Sequence, residues 1–160
     1  MDDIGRFPRM LELRIPPLAM AVIFALAMGG IAWLTSAWSF AGGHAYVAGA
    51  VVWLLGCLIC LLGVVQFRVS STTVNPTSPA LSSCLVTNGI YRHTRNPMYL
   101  GFGLMLAGEG VILGSIVALI LVPVYGAYLT RFQILPEERI LKVKFGDTYQ
   151  RFLAEVPRWI

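Results

Sequence analysis

The stretch 98–130, MYLGFGLMLAGEGVILGSIVALILVPVYGAYLT, decides how this chain is folded, and Glu109 is its one charged residue. A helix crossing about 30 Å of hydrocarbon needs about 20 residues at about 1.5 Å each. The stretch is too long for one such helix and short for two full ones. Gly108-Glu109-Gly110 interrupts it, and two glycines around a charge are a turn signal. It therefore reads as a helical hairpin, with a short arm over about 97–107 and a longer arm over about 111–130. The short arm crosses only where the bilayer thins or where Glu109 sits below the far headgroups. Glu109 reads as a solvated turn acid, with an intramembrane functional carboxylate as the alternative.

Two further uncharged runs lie upstream. One covers about 18–36 and opens with Ile15-Pro16-Pro17; proline suits a first helical turn, where its missing N–H has no partner to lose. That run exceeds the usual apolar length of a signal peptide, about 7–15 residues, and more spans follow it, so it reads as a retained anchor. The other covers about 46–67, and a short turn-like loop, Ser39-Phe40-Ala41-Gly42-Gly43-His44, joins them, with His44 a surface residue of no assigned role. The whole composition agrees. Of 160 residues, 57% are apolar and 12% charged, and the mean hydropathy is +0.73. Soluble domains carry about 25% charged residues. This chain is predicted to be an all-α, polytopic membrane protein with about four transmembrane helices, not a soluble enzyme, a disordered tail or a nucleic-acid partner. Residues 1–160 form one membrane domain, with a two-span part (1–67) and a part carrying the polar chemistry (68–160).

Charge sets the orientation. The 12 basic residues are Arg6, Arg9 and Arg14 before the first run, Arg68, Arg92 and Arg95 after the second, and Arg131, Arg139, Lys142, Lys144, Arg151 and Arg158 after the hairpin. The two opposite loops have none. By the positive-inside rule, four crossings put both termini on the cytoplasmic side, most simply of the cytoplasmic membrane. The three cysteines include a CxxC pair, Cys57 and Cys60, but in an apolar helix that pair reads as small hydrophobes rather than redox or zinc chemistry.

Two polar regions thus share one membrane face. The linker ends in Gly89-Ile90-Tyr91-Arg92-His93-Thr94-Arg95-Asn96-Pro97-Met98-Tyr99-Leu100-Gly101 and runs into the short arm, with Pro97 in its first turn and Asn96 as cap. A helix N-terminus flanked by arginines favours a carboxylate or phosphate; headgroup anchoring by the same residues is the simpler alternative. The second region starts a helix at Pro136-Glu137-Glu138, with acids against the helix dipole and Gly146 as its stop. A second amphipathic helix follows, capped by Asp147. Tyr149, Phe152, Leu153 and Val156 form its apolar stripe, expected to lie in the interface, and Pro157 ends it. A basic helix end facing a carboxylate pair suits a zwitterionic ligand.

Arg95-Asn96-Pro97-Met98-Tyr99-Leu100-Gly101, followed by Glu137-Glu138, resembles the R-H-P-x-Y-x-G…E-E signature of the integral-membrane isoprenylcysteine carboxyl methyltransferases and the related phospholipid (phosphatidylethanolamine) N-methyltransferases. Thr73-Val74-Asn75-Pro76, Gly89-Ile90-Tyr91-Arg92, Phe145-Gly146-Asp147 and Val156-Pro157-Arg158 are similar to segments of bacterial members. The resemblance covers about 72–160. It implies S-adenosylmethionine as methyl donor, bound at the cytoplasmic face by Tyr91, His93, Arg95, Asn96, Pro97, Tyr99, Gly101, Glu137 and Glu138, with the acceptor arriving from the bilayer lipids. It places Glu138 nearer the transferring methyl, and puts Lys144 where the carboxyl methyltransferases have a catalytic arginine. Asn96 stands at the motif histidine and cannot carry charge. Lys144 offers a point charge where an arginine offers a planar fork.

Methyl transfer of this kind needs no metal. Most of the catalysis comes from alignment and exclusion of water. A carboxylate acceptor needs no base, whereas an amine or thiol acceptor would lose a proton to Glu138 or His93. An isoprenylcysteine-type carboxyl acceptor is the first expectation, with a phospholipid amine or a small thiol as the alternatives. Outside this class stand a small transporter, which ordinarily keeps an ionisable residue inside a span, an NADPH-dependent membrane reductase, and a structural subunit without a working site.

Overall fold

A computed structural model describes residues 12–35, 40, 42–70 and 84–160. Arg6, Arg9, the end of the first apolar run at Ser36, part of the loop after it, and the Thr73-Val74-Asn75-Pro76 segment lie outside the described residues. The helices, in order, are α1 (Pro17–Leu34), α2 (Gly43–Val69), α3 (Pro97–Ile112), α4 (Ile116–Leu119), α5 (Leu121–Leu129) and α6 (Leu135–Glu155). A 3-10 turn at Gly89–Arg92 precedes α3, and a π-helical turn at Thr130–Ile134 joins α5 to α6. There is no β-strand among the described residues.

Three helical runs are long and apolar enough to cross a membrane: Pro17–Leu34, Gly43–Val69 and Ile116–Glu155. The last has 40 residues, about 60 Å of helix, or twice a hydrocarbon core. Its charges begin only at Arg131. The uncharged part through α5 therefore suits the hydrocarbon, and α6 lies beyond it. The shorter α3, 16 residues or about 24 Å, is apolar as well. Leu26, Trp33 and Leu34 of α1 and Leu54 and Leu61 of α2 are exposed, an outer surface that lipid would solvate and water would not.

The expected turn at Gly108-Glu109-Gly110 is not there. Helix α3 runs straight through it, and the chain reverses at Leu113-Gly114-Ser115. Gly114 takes φ +62°, the left-handed conformation glycine adopts without a steric penalty. Ser115 then caps α4, its hydroxyl accepting from Ala118 N–H at 3.2 Å. The upstream glycines serve packing instead. A Cβ on Gly108 would stand 2.6 Å from the Gly49 carbonyl oxygen, and one on Gly56 would stand 2.6 Å from that of Gly101. Helices α2 and α3 are thus antiparallel and in backbone contact, the close approach that small residues give membrane helices. Cys57 and Cys60 are free and half-buried, and Cys60 faces Gly101 across this contact.

Helix α1 packs on α3, α4 and α5. The core there centres on Met28, Tyr125, Leu129 and Ile134, with Phe24 set edge-on to Tyr125 at 5.3 Å between ring centroids. A second cluster, Val86, Tyr91, Tyr149, Phe152 and Val156, lies between the linker and the end of α6. This corrects the interfacial expectation for the α6 stripe: Tyr149, Phe152 and Val156 face inward onto protein, because the linker supplies an apolar partner for them. Gly146 does break the helix as expected, with φ +50° inside α6.

Candidate functional site

Two stretches distant in sequence meet because the chain end folds back along the entry to α3. Arg95 N–H donates to Pro157 O at 3.0 Å, and Asn96 Nδ2 and Thr94 Oγ1 both donate to Arg158 O, at 2.9 and 3.4 Å. Asn96 stands at the N-cap position of α3, but its side chain makes this long-range bond and not the expected capping bond. Arg158 is thereby delivered to Glu138. Its guanidinium grips that carboxylate with both arms, Nε to Oε1 at 3.0 Å and Nη2 to Oε2 at 2.9 Å, a bidentate geometry that holds both groups in one plane. Arg95 Nη1 reaches Oε1 from the other side at 2.9 Å. The Arg95 and Glu138 side chains are only 12% and 9% exposed, so the pair is largely out of water. The bond to Glu138 holds the Arg158 guanidinium above its ordinary range.

The neighbouring acid is in a different state. Tyr99 OH donates to Glu137 Oε1 at 2.6 Å and Gln133 Nε2 donates to the same oxygen at 2.9 Å. No guanidinium is bonded to it among the described residues. Burial raises the Glu137 carboxyl to about 7; the Glu138 charge adds to that, and the Tyr99 and Gln133 bonds oppose it. The two acids, adjacent in sequence, are thus split into a paired carboxylate and one poised to hold a proton near neutrality. Burial also pushes the Tyr91 phenol up, with Glu137 adding to the effect, so Tyr91 stays neutral.

These groups line a cleft of about 820 Å³, counting its open mouth. Arg95, Asn96, Glu137 and Glu138 supply its polar wall; Tyr91, Tyr99, Phe145 and Tyr149 supply aromatic faces. Phe67, at the end of α2, stands edge-on to Tyr91 at 5.4 Å and closes one side. Of the residues expected at a cofactor site, Tyr91, Arg95, Asn96, Tyr99, Glu137 and Glu138 converge here. Pro97 is fully buried at the start of α3, and Gly101 faces α2; both shape the wall from behind. His93 and Lys144 are exposed and do not line the cleft; Lys144 Nζ stands 5.8 Å from the Phe145 ring. Arg158 and Gln133 were not singled out from the sequence, although the Val156-Pro157-Arg158 run was.

The phospholipid methyltransferase family matches residues 44–148. The chain belongs to that family. The protein-S-isoprenylcysteine O-methyltransferase of Schizosaccharomyces pombe is 37% identical over 79 residues, covering 48% of this chain and 32% of the yeast enzyme. An uncharacterized protein of Haemophilus influenzae is 38% identical over 63 residues, 39% of this chain and the whole of that protein. The chain thus spans about a third of the yeast relative's length. No solved structure matches. As a family member with three long apolar helices, the protein is an integral membrane protein of the methyltransferase type.

Proposed function

We propose that this protein transfers a methyl group from S-adenosylmethionine to an amphiphilic carboxylate that enters from the bilayer, an isoprenylcysteine-type acceptor. The observation that carries the reading is that Arg95 and Glu137 both line one aromatic-walled cleft without bonding each other. The residues fit the donor on a feature of their own: Arg95 Nε is buried and has no hydrogen-bond partner among the described residues. A buried N–H of that kind is costly unless something accepts from it. An amino-acid carboxylate does so, and Glu137 offers the matching acceptor for an ammonium. The rings of Tyr91, Tyr99 and Tyr149 supply faces that favour a cation and stack on a base. The donor, when bound, supplies a methyl group already activated on a positively charged sulfur.

The protein's own part is placement. Glu138, fixed by Arg95 and Arg158, holds the α6 wall against the α3 wall and sets the width of the cleft. Tyr99 fixes the Glu137 carboxylate. A carboxylate acceptor is ionised at neutral pH and needs no proton removed, which agrees with a Glu138 wholly engaged by guanidinium groups. Lys144 is exposed on the same helix, outside the cleft, on the side from which an acidic acceptor or headgroup would arrive. The acceptor's apolar tail has a route beside the cleft: an apolar groove between α3 and α5, lined by Tyr99, Gly103, Ala107, Tyr125, Gly126 and Trp159, shares Tyr99 with it. We infer four crossings, α1, α2, α3 and the α4–α5 run, with both termini and the cleft on the cytoplasmic side by the positive-inside rule.

A second reading, a phospholipid amine as acceptor, is favoured by Glu137 alone, since a carboxylate titrating near 7 can take the proton an amine must lose. Calorimetric titration with S-adenosylhomocysteine tests the donor, and a labelled-methyl screen over prenylcysteine, phosphatidylethanolamine and thiol acceptors tests the substrate. Saturable binding with label entering a base-labile ester is the expected result. Absence of binding overturns the methyl-transfer reading, and label in phosphatidylethanolamine moves the acceptor to the second.

A further inference from the structure

The segment before α1 reaches across to the junction between α5 and α6, where it makes bonds the local chain cannot. Pro136 has no N–H to return to the preceding turn. The carbonyl four residues back, Phe132 O, instead accepts from Leu13 N–H at 3.1 Å. Leu13 does this at φ +58°, a conformation that costs a bulky residue free energy and persists only where surrounding contacts impose it. The contact that imposes it is next door. The Glu12 carboxylate, 13% exposed, bonds Arg131 Nη1 through Oε1 at 2.9 Å and Arg139 through Oε2, so it bridges a residue within the π-helical turn to one beyond Pro136. Thr130 adds to the local distortion by bonding back to Gly126 O at 2.7 Å.

The bridged turn aims the acids. Gln133, in the middle of the π-helical turn, donates to Glu137, and Glu138 follows on the same helix. A regular α-helical turn in place of the π turn would rotate Gln133 relative to Glu137 by most of one residue's angle. We propose that Glu12 is a positioning residue: the Glu12–Leu13 clasp holds the π-helical register that points Glu137 and Glu138 into the cleft, and so sets donor affinity from outside it. This rests on the cleft being the S-adenosylmethionine site.

The test compares wild type, Glu12→Ala and Glu12→Asp in the full chain in lipid nanodiscs, by S-adenosylhomocysteine titration and by hydrogen exchange over 131–139. The expected result is at least tenfold weaker binding and faster amide exchange in that segment for Glu12→Ala, with exchange in α1 and α2 unchanged. Glu12→Asp, which keeps the charge between the two arginines, should recover most of the affinity. A KM for donor that rises while kcat holds would agree, because the clasp touches no reacting atom. Unchanged affinity in Glu12→Ala overturns the proposal, as does affinity lost in step with exchange throughout the protein. If wild type itself fails to bind S-adenosylhomocysteine, the donor reading fails; unchanged exchange over 131–139 in Glu12→Ala then overturns the clasp separately, and faster exchange confined there upholds it.

Discussion

Glu138 carries one negative charge between two guanidinium groups, and removing that charge leaves Arg95 buried without its partner. Breaking such a pair on one side typically costs about 3–5 kcal/mol, more than the pair contributes over an apolar substitute. Glu138→Gln should therefore lower turnover by about 100-fold or more and weaken S-adenosylhomocysteine binding, with helical circular dichroism retained, because the spans do not depend on this pair. Near-normal turnover would take Glu138 out of the site's framework. Glu137 makes a pH prediction of opposite character. Its carboxyl is raised in the fold from an ordinary 4.5 to about 7, so the folded state binds more proton than the unfolded state between those values. Its contribution is fully present below about 4.5 and is lost as pH rises through about 7. The apparent melting temperature in detergent should fall over that window, and Glu137→Gln should flatten the fall. A cation bound beside Glu137 pulls the proton off, so ligand binding at pH 7 should release protons, seen as a buffer-dependent calorimetric heat. The acids were legible in sequence as a pair, but their division was not, since it depends on Arg158 and Gln133. Arg158 arrives from a chain end that no periodicity ties to α3, and Gln133 from a helical turn whose π geometry leaves no residue signature.

At the level of helices, the contact between α2 and α3 is set by glycines that a sequence reader takes for a turn. Gly108 and Gly110 flank a charge, which is turn chemistry by composition, yet Gly108 lies against the Gly49 carbonyl and Gly110 against Leu119 and Met28. Close packing and reversal draw on the same residue, and only a partner helix tells them apart. The true reversal carried its own signal at Gly114-Ser115, a glycine stop followed by a serine cap. The existence of the apolar helices, the proline starts of α1 and α3 and the break at Gly146 were all readable, because they depend on local chemistry. Gly108→Val should separate α2 from α3 by overpacking, a cost of about 1–3 kcal/mol or more, and a thermal scan in detergent should register it. Gly103→Ala, with nothing within 4 Å of the added carbon, serves as the matched control and should leave the transition in place.

Across the whole molecule, one arrangement of charge has to satisfy both the bilayer and the cleft. Arginines that would retain a loop on the cytoplasmic side also bind the acid that closes the site, Arg95 and Arg158 through their guanidinium groups, while the Arg158 carbonyl accepts from Asn96. Orientation and assembly of the site are therefore coupled: α3 can present Arg95 to Glu138 only if its N-terminus and α6 emerge on the same face, and their 2.9 Å bond requires that. The coupling predicts a labelling pattern. In a background with Cys57, Cys60 and Cys84 replaced by alanine, His44→Cys and Arg92→Cys introduce thiols at exposed positions at opposite ends of the bundle. Helix α2, 27 residues or about 40 Å, lies between them and is long enough to span the hydrocarbon core. A membrane-impermeant maleimide should then modify Arg92→Cys only in inside-out vesicles and His44→Cys only in right-side-out ones. Modification of both from one side would mean that α2 does not cross, and the cleft would then face a surface other than the inner leaflet.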